Sequence, residues 1–350
     1  TGVTHSLGLT VSDATTLNVI GTNALDITSL TGETSLATID AGDHTGSAFT
    51  VNASDSTAAM TVTGSAGSES SLGAIVNTIT TGTGDDTVTG GSYKDVIDTG
   101  RGNDTINAGD GNNDIDSERG NDVITSGSGN DTIDAGAGDD NITSGSGDDL
   151  ITTGTGDDTV SAGAGNDMIA TASLSSDDNF DGGTGTDRVS TTTGTITSSS
   201  ATSVNAALID VTDDVAPTLT GIESLYVSIN ADASSSSTDY VDLDLTAAAS
   251  LTSLVLETAD AEPTKVTNFA GSTIGLYGAT TGAVESEDLY IDGVGQSSLT
   301  VTLHDYDNAA DTGQNTFTGI DSLTIKGQSK SVFTGNASQD NLLGDIVATT

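Results

Sequence analysis

A strict nine-residue period runs through the middle of this chain and limits what it can fold into. Ile79, Val88, Ile97, Ile106, Ile115, Ile124, Ile133, Ile142, Ile151, Val160 and Ile169 follow one another at steps of nine. Aspartates keep the same beat two places earlier, from Asp86 to Asp167, with Asn113 in one of their places. The unit reads x-G-x-G-[DN]-D-x-[IV]-x, as in SGSGNDTID from Ser126 to Asp134. After Ala170 the phase slips by two residues and resumes in SLSSDDNFD and GGTGTDRVS, ending at Ser190. A short tandem period of this kind belongs to a solenoid, in which each unit buries its apolar face only against its neighbours.

Each unit has two halves. The glycine-rich half suits a turn, where positive backbone dihedrals cost little, and x-[IV]-x suits a very short strand. Two units then make one coil of a parallel β-roll. Aspartates 18 residues apart, such as Asp104 and Asp122, Asp122 and Asp140, or Asp131 and Asp149, stack on one edge at the strand spacing of about 4.8 Å. Stacked carboxylates repel unless a cation lies among them. Calcium suits the place, because it takes six to eight oxygens in flexible geometry and accepts carboxylates and carbonyls together; magnesium, with its stricter octahedron, fits less well. One Val or Ile per nine residues is little apolar burial, so metal binding is expected to be coupled to folding.

Composition points the same way. There are 51 Asp and Glu against 7 Lys and Arg, a formal charge of -44. Nucleic acid and anionic lipid would meet a like-charged surface, so cations are the favoured partners. Such a charge with few aromatic residues often means disorder, but the apolar residues recur in register, which favours a fold. The absence of cysteine excludes disulfides, thiolate metal sites and a cysteine nucleophile. No stretch of 18 apolar residues predicts a spanning helix. The chain opens on Thr1 within an alternating pattern and reads as part of something longer.

The nonapeptide tandem resembles the RTX family, the hemolysin-type calcium-binding repeats of bacterial proteins exported by type I secretion. The resemblance covers Leu72 to Ser190. It implies that the place-six aspartate and carbonyls of the glycine turns hold calcium between coils, and that place eight points into the roll. Carried across, the ligands would be Asp86, Asp95, Asp104, Asp122, Asp131, Asp140, Asp149, Asp158, Asp167, Asp178 and Asp187, with about eight or more calcium ions bound. Asn113 departs from the pattern and should weaken the sites it shares with Asp95 and Asp131, and Glu118 replaces a turn glycine. The family implies a chain unfolded in a low-calcium cytosol that folds outside the cell.

The expected fold is all-β, a parallel β-roll or β-helix solenoid with calcium-binding turns, flanked by further solenoid or sandwich-like strands. Residues 1–71 carry alternating strands such as TTLNVIG and AAMTVTG that run in phase into the roll, and the solenoid reading is favoured for them. The roll spans 72–190, a Thr/Ser-rich connection 191–217, and a further strand-rich domain 218–350. LTAAASLTSL, Leu245 to Leu254, is the one helix candidate. LTGIESLYV (Leu219–Val227) and FTGIDSLTI (Phe317–Ile325) echo each other, and with the Thr/Ser-rich strands they look like the non-RTX parts of bacterial surface-layer proteins that carry RTX repeats. GNASQDNLLG, Gly335 to Gly344, returns to the nonapeptide phase, as if a second calcium block followed.

His5, His44 and His304 show no metal-pair spacing and read as surface residues, and HDYDNAAD (His304–Asp311) as a solvated loop with an isolated cation site as the alternative. The run Asp110 to Glu118 alternates acids like an EF-hand, but Ile115 stands where the turn glycine is needed. Neither G-x-S-x-G nor H-E-x-x-H occurs, so no catalytic residues are assigned. The expected function is that of an extracellular, calcium-dependent structural protein that self-associates into a surface layer or filament, with a cell-surface polysaccharide as another candidate partner and no membrane insertion. The alternatives are a stiffened segment of an RTX adhesin and the carrier part of a secreted hydrolase.

Overall fold

The computed structural model describes residues 5–10, 15–31, 36–45, 48–65, 77–172, 174–191, 209–210, 217–230, 241–258, 264–278, 289–296, 299–304, 315–320, 323–327 and 346–349. All regular elements among them are β-strands. No helix among the described residues is long and apolar enough to cross a membrane. The chain divides into two compact units, Thr1–Ile169 with Gly183–Gly185, and Ala170–Gly182 with Thr186–Thr350.

In the first unit, successive strands alternate between two parallel sheets. One sheet takes His5–Thr10, Leu25–Thr31, Phe49–Asn52, Asn77–Thr80, Asp95–Asp98, Asp114–Asp116, Thr132–Asp134 and Leu150–Gly154 in order. The other takes Thr16–Asn18, Thr38–Asp40, Thr61–Thr63, Thr87–Gly91, Thr105–Gly109, Val123–Thr125, Asn141–Ser146 and Thr159–Ala164. Such interleaving is a parallel β-solenoid, as the period predicts. Ile97 faces Ile115, Ile115 faces Ile133 and Ile106 faces Ile124, so one coil is two nonapeptides. The solenoid includes the amino-terminal flank, where the coils are longer: Leu25 faces Phe49, and Phe49 faces Asn77.

Side-chain alternation along each strand decides what lies inside. Places six, eight and one of the next unit share parity and point inward; places seven and nine point out. The eleven Ile and Val of place eight are at most 1% exposed, and each contributes about 1.5–3 kcal/mol by leaving water. Place one is always small where it is buried, as at Thr99, Ala108, Ser117, Ser126, Ala135, Ser144, Thr153 and Ala162. The interior is therefore narrow.

The turns hold the coils close. Gly127 has φ +99° and Gly129 φ +129°, and a Cβ would lie 2.2 Å from the Gly109 oxygen at the first and 2.1 Å from the Gly111 oxygen at the second. Glu118, standing where the pattern has glycine, takes φ +59°, and its N–H donates to Asp116 Oδ1 at 3.2 Å. A non-glycine residue accepts this left-handed turn at a cost of about 1–2 kcal/mol.

In the second unit, Ser224–Asn230, Ser253–Thr258, Thr273–Gly278, Leu299–His304 and Leu323–Gly327 stack in parallel, and Val241–Asp244, Thr264–Phe269, Leu289–Gln296, Asn315–Ile320 and Ile346–Thr349 form another parallel sheet. Leu225, Leu254, Leu256, Val266, Phe269 and Ile274 line its core. Each T-G-I-[DE]-S-L echo joins one strand's end to the next strand's start, at Thr218–Thr220 into Ser224–Asn230 and at Asn315–Ile320 into Leu323–Gly327.

Two expectations change. LTAAASLTSL is not a helix: the N–H groups of Ala248 and Leu251 donate to the carbonyls of Leu245 and Ala248, two short turns that bury all three residues before Ser253–Thr258 begins. A corner this short cannot offset the cost of helix nucleation. His44 is not a surface residue but 1% exposed, its Nδ1 3.0 Å from Ser65 Oγ and its Nε2 2.8 Å from the Asn23 carbonyl. Most of 191–217, HDYDNAAD after His304, and Gly335–Gly344 lie outside the described residues.

Candidate metal centre

Place six lies two residues before the buried Ile or Val, so the strand's own alternation turns its aspartate inward. Asp86, Asp95, Asp104, Asp122, Asp131, Asp140, Asp149, Asp158, Asp167, Asp178 and Asp187 are all 3% exposed or less. In the first unit they form two files, one on each edge of the roll. Along one file, the N–H of Asp86 donates to Asp104 Oδ1 (2.7 Å), that of Asp104 to Asp122 (2.7 Å), that of Asp122 to Asp140 (2.8 Å) and that of Asp140 to Asp158 (3.0 Å). Along the other, Asp95 donates to Asn113 Oδ1 (2.9 Å), Asn113 to Asp131 (2.7 Å), Asp131 to Asp149 (2.8 Å) and Asp149 to Asp167 (2.9 Å). The 18-residue pairing expected from the sequence is the one found.

One carboxylate oxygen is thus bound to the neighbouring coil. The second oxygens of Asp104, Asp122, Asp131, Asp140 and Asp149 are buried with no hydrogen-bond partner. A buried charged acceptor without a donor is costly, and it marks a place where a proton or a cation belongs. Burial pushes the carboxyl of Asp140 up to about 7 and those of Asp95, Asp104 and Asp131 up to about 6. Asp86, Asp122, Asp149 and Asp158 are raised for the same reason. Asp140 rises highest, the like charges of Asp122, Asp158 and Asp139 adding to its burial.

The first rung on each edge differs. Asp86 accepts from Met60 N–H at 2.7 Å and Gly82 N–H at 3.4 Å. Asp95 accepts from the Asn77 amide at 2.7 Å and Gly91 N–H at 2.7 Å. Both carboxylates have donors on both oxygens.

Asn113 shows what the unmet oxygens face. Its Nδ2 donates to the carbonyls of Gly109 (3.2 Å) and Ser126 (3.1 Å), one in its own turn and one a coil onward. In the aspartate rungs the matching atom is an oxygen, so a cation suits the place that the amide fills at Asn113. Among the described residues no three His, Cys, Asp or Glu side chains converge on one point. An ion in the roll therefore needs main-chain carbonyls to complete its shell, and calcium accepts that mixture.

Sequence reasoning missed two further ranks. The place-one hydroxyls point inward, a fact available from strand parity; Ser126 Oγ donates to the Ser144 carbonyl and Ser144 Oγ to that of Ala162. The exposed place-five residues run a ladder of opposite sense: Asn121 N–H donates back to Asn103 Oδ1 (2.9 Å), and Asp139 to Asn121 (3.1 Å).

A family model described as the RTX calcium-binding nonapeptide repeat matches residues 73–106, 80–115, 89–124, 108–142, 116–151 and 143–173. The roll is an RTX repeat domain. RTX nonapeptides bind calcium, and the unmet oxygens of Asp104 to Asp149 fit that ion. The RTX roll is a structural calcium-binding fold, and proteins that carry it are typically secreted. The RTX matches cover less than a third of the chain, and no curated protein or solved structure matches it.

Proposed function

We propose that this chain is a structural segment of an extracellular, self-assembling surface layer or filament of a bacterial cell, exported by type I secretion and folded by calcium outside. The observation that carries the reading is the row of buried carboxylate oxygens without donors at Asp104, Asp122, Asp131, Asp140 and Asp149. These residues are the assigned ligands, together with carbonyls of the adjoining turns. Asp158, Asp167, Asp178 and Asp187 share their inward place and extend the set. Asp86 and Asp95, already supplied with donors, stand at its margin. Bound calcium supplies the positive charge that makes these rungs neutral and the roll stiff. No catalytic role is assigned to any residue.

The test is a titration of the chain with calcium from chelated to about 10 mM, the range of extracellular modules, with magnesium as control. Circular dichroism and light scattering are read together. A cooperative gain of β signal followed by scattering from ordered sheets or fibres is expected. A β signal indifferent to calcium would overturn the ligand assignment, and folding without scattering would overturn the assembly.

A further inference from the structure

The outward faces of the two sheets in the first unit are chemically unlike. On the sheet that holds Asp95–Asp98 and Thr132–Asp134, the outward ranks include Asp98, Asp114, Asp116 and Asp134, in adjoining coils. The other sheet presents two ranks that run coil by coil from Thr61 and Thr63 to Thr159 and Ser161. Over those six coils the ranks hold eight Thr, two Asn, one Ser and one Val, and no charged residue. The Val is Val123, one of two large hydrophobic residues left exposed among those described, at 46%.

In a chain of formal charge -44, a face of six coils without charge is out of keeping with its surroundings. A second copy carries the same net charge, so like-charge repulsion disfavours contact through the carboxylate-bearing ranks and leaves this face open. Stacked parallel strands also set the side chains of each rank at about 4.8 Å, and two such ranks interdigitate when two sheets pack about 10 Å apart. We propose that the threonine face is where a second copy of this chain docks, sheet against sheet. This rests on the assembly reading above and names its surface. Six coils by three residues give roughly 300 Å² per copy, against about 800 Å² per partner in a stable interface. The contact is thus weak alone and works as one of several in an array.

The experiment compares the full chain with Thr105→Glu/Thr143→Glu, on the threonine face, and Thr132→Glu/Thr152→Glu, on the opposite one, at equal added charge in millimolar calcium. Calcium-induced circular dichroism checks folding, and scattering against protein concentration reads association. The first pair is expected to raise the concentration for half-assembly about tenfold or more, and the second to leave it near the parent's. Mixing the first pair with Thr105→Lys/Thr143→Lys should restore assembly; if the Glu pair does not fold, the Lys pair is read alone in its place. Equal assembly by the threonine-face variant and the parent, or equal loss in both Glu variants, would overturn the face while leaving the assembly reading intact. A parent that folds in calcium without associating would overturn the assembly reading itself.

Discussion

At the scale of single residues, the roll is governed by what stands at place six. Asn113 and Asp140 are opposite cases: one brings a donor to two turn carbonyls, and the other buries an oxygen with nothing to accept from. Asn113→Asp should remove two hydrogen bonds and add a buried charge, destabilising the chelated chain by roughly 1–3 kcal/mol. In calcium it should raise the stoichiometry seen by isothermal titration calorimetry. Asp140→Asn should do the reverse, lowering stoichiometry and shifting the folding midpoint to less calcium. Protons substitute for calcium in part. A carboxyl raised from 3.8 to about 6 or 7 binds more protons folded than unfolded, so calcium-free stability grows as pH falls through about 7 towards 4 and is lost as pH climbs back. Circular dichroism in chelator should therefore show more β structure at pH 5 than at pH 8, while calcium affinity falls over the same acid range. The aspartates and their 18-residue pairing were legible from the nine-residue beat. The clasp made by Asn113 was not, because it depends on where two carbonyls point, and these leave no mark in the residue types.

At the scale of elements, the turns bear the closest contacts. Gly127→Ala should cost more than about 2 kcal/mol, since the φ of +99° and the 2.2 Å approach to the Gly109 oxygen act together. Glu118→Gly should gain about 0.5–1 kcal/mol by relieving the left-handed turn, less what glycine adds to the freedom of the unfolded chain. Chemical melts at fixed calcium decide both. The strands of the roll could be read almost residue by residue, because one unit repeats and Ile or Val marks each. Coil length in the amino-terminal flank could not, because Leu25, Phe49 and Asn77 face one another across loops of unequal length. The segment Leu245–Leu254 has helical composition but lies at a corner between strands, and tertiary context decided it.

At the scale of the whole molecule, the two units stand on different supports. The second is lined by Leu225, Leu254, Leu256, Val266, Phe269 and Ile274, and the nonapeptide coils by one Ile or Val per unit beside unmet carboxylates. Differential scanning calorimetry should show a transition that disappears in chelator and a second that persists. Coil geometry has one more result. Ile97 facing Ile115 and Ile106 facing Ile124 mean that eighteen residues return the chain to the same sheet, one strand spacing onward. Roll length is therefore a quantity in whole steps: removing 18 residues shortens the rod by about 4.8 Å and leaves each remaining neighbour a familiar one. Removing nine sends every later strand to the opposite sheet and turns the threonine face over partway along. Such a chain can be lengthened or trimmed by duplication without being redesigned, provided the step is an even number of units.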